Sequence, residues 1–233
     1  MSLVATAALL VALLALWSVR ATWAIPWERP AALAVAFLTA QLILMAGPVS
    51  AWLSPKLFAL TGLWNIEDLA AHIFYLCGMW SILFLVADRL DMSPNQFRWY
   101  VRYRIELPSI LAYTAMIAAF VFGGVGDQYV PDPVSSDPTP GLYVYWLVMI
   151  AAIAYIIAHA GWILLQLRRD PRSKRAATAY LCALCVNGAG IVVFAAPGLV
   201  HLQWIMVRAE VVAYAIAASY TWRSKRADLP RPR

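Results

Sequence analysis

Leu167-Arg168-Arg169-Asp170-Pro171-Arg172-Ser173-Lys174-Arg175 is the stretch that decides the fold. Apolar runs flank it on both sides, at 142–166 and 177–196. Each run is long enough to cross a hydrocarbon layer of ~30 Å at about 1.5 Å per residue of helix. A dense knot of cations between two such runs marks a cytoplasmic turn.

Working outward, five further apolar runs appear, at 3–19, 30–48, 67–87, 107–124 and 200–221. Nearly all of the cations fall in every second gap. Arg20 and Arg29 occupy the first, Arg98, Arg102 and Arg104 the third, and Arg168, Arg169, Arg172, Lys174 and Arg175 the fifth. Arg223, Lys225, Arg226, Arg231 and Arg233 follow the last run. The even gaps hold Lys56 and otherwise acids or no charge. The positive-inside rule then predicts an all-α polytopic membrane protein of seven transmembrane helices, N-terminus outside and C-terminus cytoplasmic, in the cell membrane. Residues 1–222 form the helical domain in this reading, and 223–233 a short basic tail. The first run lacks the positive charge that precedes a signal-peptide core, so it reads as a retained helix.

Composition agrees. The chain is 63% hydrophobic and 13% charged, with a mean hydropathy of +0.70, outside the range of soluble domains. Its net charge of +6 is distributed as topology requires, which argues against nucleic acid as a partner. The expected partners are the bilayer, anionic lipid head groups and a protein docked on the basic loops. Cys77, Cys182 and Cys185 all lie within apolar runs, so no external disulfide framework is indicated. Cys182 and Cys185 read as small apolar side chains facing neighbouring helices.

Several local expectations follow. Ser93 caps a helix with Pro94 in its first turn, extending the fourth helix with Arg98, Arg102 and Arg104 on the lipid surface. Gap 49–66 reads either as a short apolar face formed by Trp52, Leu53, Leu57, Phe58 and Leu60 at the outer interface, or as an irregular loop. Gap 125–140, with Pro131, Pro133, Pro138, Pro140 and three aspartates, reads as an extended acidic external loop. Asn65-Ile66-Glu67-Asp68 reads as a capped helix start.

Ionisable groups inside a bilayer cost roughly 2.5–3.5 kcal/mol each, so they are the best functional pointers. The last run holds His201, Gln203, Arg208 and Glu210. Arg208 and Glu210 are two apart and project in nearly opposite directions, so each needs another partner. Asn187 is the natural donor for Glu210. Asp68 and His72, one turn apart, share the outer depth of His201. The candidate ligand or coupling residues are therefore Asp68, His72, Asn187, His201, Arg208 and Glu210, with no metal and no cofactor assigned. No His-Glu-x-x-His or Gly-x-Ser-x-Gly motif occurs, which points away from an enzyme. The last run has no Lys for a retinal linkage.

The stretch Thr61-Gly62-Leu63-Trp64-Asn65-Ile66-Glu67-Asp68-Leu69-Ala70-Ala71-His72 resembles the start of the third helix in a family of uncharacterised actinobacterial seven-helix membrane proteins. Those proteins carry a Thr-Gly-x-x-Asn segment before a His-bearing helix, and often a cytosolic C-terminal domain, which is not expected for this chain. The resemblance implies a transporter or sensor of undefined substrate and lends no catalytic residue. The sequence predicts a sensor-like or partner-binding protein with an outer polar pocket. The alternative is a small transporter or channel using Arg208 and Glu210. Undetected inverted halves and the lack of Gly/Pro-broken helices favour the former.

Overall fold

The structure, a computed structural model, describes residues 3–131, 134 and 139–228. Asp132, Pro133, Asp137 and Pro138 of the acidic loop, and Arg231 and Arg233 of the tail, lie outside the described residues. Among those described, the fold is all-α, with eight helices: α1 (Leu3–Ser18), α2 (Arg29–Leu44), α3 (Gly47–Thr61), α4 (Ile66–Ala87), α5 (Pro94–Phe122), α6 (Pro140–Leu167), α7 (Lys174–Ala195) and α8 (Gln203–Asp228).

Helices α4 to α7 are each long and apolar enough to cross a membrane, and α2 with α3 adds a fifth if that bent pair is one span. Helix α1 is apolar but has 16 residues. The surface is inside-out for a soluble protein. Leu3, Leu14, Trp17, Ile110, Leu111, Phe122, Val192 and Ile216 are exposed, while Thr39, Gln41, Ser50, Ser54, Glu67, His72, Asn187 and Glu210 are buried. Apolar side chains facing outward around a polar interior fit a hydrocarbon solvent.

Helix α4 is the hub. It packs on α2, α3, α5 and α6, and α6, α7, α8, α1 and α2 close the circuit around it. Hydrocarbon gives no hydrophobic drive between helices, so close approach of small residues must hold them. Ala15 on α1 meets Ala215 and Ala218 on α8, in a cluster completed by Val19, Ala32, Val35 and Trp222. Ser18 and Ser219 hydroxyls, 2.8 Å apart, tie the same two helices.

Gap 49–66 is helical over most of its length. Pro48 sits in the first turn of α3, where its missing N–H costs nothing, and Gly62 ends the helix in the left-handed region at φ 75°. Helix α3 is bent by 80° from α2, so the second apolar run is broken after all at Gly47-Pro48. The buried face of α3 is polar: Ser50 Oγ donates to Glu67 Oε1 at 2.8 Å, and Ser54 is fully buried. Its outer face carries exposed Trp52, Phe58 and Leu60, with Lys56 Nζ 3.2 Å from the Trp52 ring centroid.

Asn65 departs from the capping expectation. It precedes α4 at φ 59°, and its side chain makes no cap hydrogen bond. Its amide instead clamps the 125–130 segment, donating to Val125 O and Gln128 O and accepting from Val130 N. Ser93 does form the expected cap, in a reciprocal box with Gln96. Helix α5 widens into a π-turn over Val101–Glu106, and Tyr155 Oη donates to the Arg104 carbonyl there at 3.0 Å. Helix α8 continues through Asp228, so residues 223–228 prolong a helix rather than leave it as a tail. Cys182 and Cys185 are exposed on α7 rather than buried between helices.

Candidate functional site

Glu210 is 3% exposed. Tyr75 Oη from α4 and Asn187 Nδ2 from α7 both donate to its Oε2, each at 3.0 Å. Asn187 Nδ2 also reaches the Tyr75 hydroxyl and lies 3.9 Å from Met79 Sδ. The carboxyl is thus held by two neutral donors. Both ion pairs between described residues belong elsewhere, to Glu28. Gly190 makes room for the other oxygen, since a Cβ there would collide with Glu210 Oε1.

These groups border a cavity of about 50 Å³ that also meets Gln41 and Met45 of α2, His72, Trp146 of α6 and Gln203. The buried oxygens Gln41 Oε1, Asn187 Oδ1 and Gln203 Oε1 find no hydrogen-bond partner among the described residues. A buried polar atom left unpaired costs about 1–3 kcal/mol. Three amide acceptors and a carboxyl around one small space therefore suit an occupant that brings donors or positive charge. The volume suits a few waters, at about 10–15 Å³ of such space each, or a small cation.

The residues singled out from sequence separate into three places. Asn187, Glu210 and His72 meet at this cavity. His72 is fixed by its Nδ1, 2.9 Å from Tyr145 Oη, and by edge contact with the Trp146 ring; Asp68 is buried one turn before it. His201 is exposed in a 3₁₀ turn, Pro197–Leu202, and does not border the cavity. Arg208 lies half-buried in a separate groove with Leu9 of α1 and Leu42, Gly47 and Pro48 at the α2–α3 break. Arg98, Arg102, Arg104, Arg168, Arg169, Arg172, Lys174 and Arg175 are all exposed. Among the described residues, no group of three or more His, Cys, Asp or Glu gathers as a metal site.

Tyr75, Gln41 and Gly190 are the site residues the sequence reading passed over. Tyr75 lies seven residues after Asp68 and three after His72, a helical spacing that puts all three on one face of α4. Gln41 is the one amide in the second apolar run.

Comparison of the chain with protein-family models, with curated proteins and with solved structures finds no match.

Proposed function

We propose that the chain is a seven-span, non-enzymatic protein of the cell membrane that binds a small cation or hydrogen-bond donor at Glu210 and acts as a sensor-like, partner-binding module. In this reading the N-terminus is outside, and the ends bearing Arg98, Arg102, Arg104 and the 168–175 cluster are cytoplasmic. The observation that carries it is the carboxyl of Glu210, held by Tyr75 and Asn187 beside three amide oxygens that have no partner among the described residues. Such a constellation is costly to build in a bilayer unless something is bound there. Occupancy would pull on α4, α7 and α8 together, and α4 and α8 run on to the basic end.

Affinity purification in gentle detergent followed by native mass spectrometry of the intact assembly tests the reading. A stoichiometric protein partner that is lost when Arg168, Arg169, Arg172, Lys174 and Arg175 are neutralised supports it. Co-purification unchanged by those substitutions, with topology intact, contradicts it.

A second reading has its own support. Transporter sites are commonly built where a helix is broken, and Gln41 and Met45 border the cavity just before the 80° break between α2 and α3. A small cation transporter would use Glu210 as its carrier group. Arg208, set in a different groove, would not share that path. Cation flux into proteoliposomes that Glu210→Gln abolishes would favour this reading over the first.

A further inference from the structure

A larger cavity, about 370 Å³, opens at the other end of the bundle and has no part in the Glu210 site. Four cations border it, Arg89, Arg172, Arg175 and Lys225, against a single carboxylate, Glu28. Glu28 precedes α2 and is 7% exposed. Its Oε1 accepts from Arg89 Nη2 at 2.7 Å and from Lys225 Nζ at 2.6 Å. Two cations, Arg89 in the turn after α4 and Lys225 on α8, are thereby gathered on one oxygen.

That triad keeps a net positive charge and many unused donors. A guanidinium has five N–H groups and an ammonium three. Among the described residues Arg89 bonds through Nη2 alone, to Glu28 and to the Trp27 carbonyl at 3.2 Å. Trp222 adds a further donor. It borders the same cavity, is 8% exposed, and its indole Nε1–H has no hydrogen-bond partner among the described residues. The deeper wall is apolar, with Leu85, Val86, Leu164 and Ala218.

An anionic group rich in acceptor oxygens completes such a site. Phosphate offers several acceptor oxygens and matches the guanidinium fork two bonds at a time. We propose that this cavity binds a phosphate-bearing ligand, its phosphate taken by Arg89, Lys225 and the Trp222 indole, with Arg172 and Arg175 at the mouth and the rest of the molecule along the apolar wall. The same chemistry is offered by the head group of an anionic phospholipid and by a soluble phosphate ester.

Native mass spectrometry and thermal unfolding of the full-length chain separate the sources. The probes are phosphatidylglycerol against phosphatidylcholine in nanodiscs, and inorganic phosphate against chloride at equal ionic strength in detergent. Retention of phosphatidylglycerol but not phosphatidylcholine, with no effect of inorganic phosphate, assigns a lipid head group. A rise in Tm with inorganic phosphate assigns a soluble ligand. Arg89→Gln and Lys225→Gln each weaken binding by roughly tenfold or more, the worth of a charge-assisted hydrogen bond. Because those changes disturb buried ion pairs, the exposed double variant Arg172→Gln/Arg175→Gln is the folding-neutral check and weakens binding severalfold. Glu210→Gln leaves it unchanged, which keeps this site distinct from the other. No selective retention and no shift with any probe would overturn the proposal. So would binding undiminished in both Arg89→Gln and the double variant.

Discussion

Asn187 Nδ2 lies 3.0 Å from Glu210 Oε2, and the Tyr75 hydroxyl donates to the same oxygen from the other side. A carboxyl in a bilayer-facing bundle is thereby fixed by neutral donors from two other helices. Asn187→Leu removes one of them. Hydrogen bonds between membrane helices average about 0.6 kcal/mol and reach about 1.7, so the loss of stability falls in that range. Thermal unfolding in micelles measures it, and a change indistinguishable from zero would remove Asn187 from the site.

Gly190 is predicted to be intolerant of any side chain. Gly190→Ala drives a methyl into Glu210 Oε1, and overpacking of this kind costs about 1–3 kcal/mol. The double variant Gly190→Ala/Glu210→Ala relieves the collision. A double-mutant cycle in unfolding free energy therefore gives strong positive coupling, whereas additive losses would contradict the contact.

Packing of α1 on α8 rests on small side chains. Ala15→Leu places a bulky group against Ala215 and Ala218 and is expected to destabilise by about 1–3 kcal/mol. Leu14→Ala, at an exposed position, is expected to change little. Equal effects of the two would refute the seam.

Membrane orientation is open to labelling. In a background with Cys77, Cys182 and Cys185 replaced, Asp127→Cys reacts with an impermeant maleimide on intact cells. Arg172→Cys, at the basic end, reacts only after permeabilisation. Both positions are exposed. The reverse pattern would invert the proposed topology.

Much of the fold was legible because long, uniformly apolar runs leave a backbone in hydrocarbon one option, the helix with its bonds satisfied internally. The pairing of Asn187 with Glu210 was legible too, from depth along two neighbouring helices. Which way a side chain turns was not, because a helix apolar all round has no stripe to define its inner face. Arg208 and His201 therefore stand among the candidate ligand or coupling residues, although Arg208 lies in the groove beside α1 and His201 is exposed. Helix α3 was only half readable. Its Gly47-Pro48 and Pro55 look like breakers, and its polar side is the one that faces inward. The Glu28 triad joins residues 61 and 197 positions apart, a distance at which local pattern says nothing.

The account turns on Glu210 holding a small cation or donor-bearing ligand, and a salt-dependent unfolding measurement tests it most directly. Tm of the wild-type chain is compared in sodium, potassium, ammonium and choline chloride at equal ionic strength, choline being a bulky quaternary cation with no N–H to donate to the amide oxygens. The account predicts a higher Tm in at least one of the small cations than in choline, and loss of that difference in Glu210→Gln. A wild-type Tm identical in all four salts, or a cation effect that survives Glu210→Gln, would contradict it.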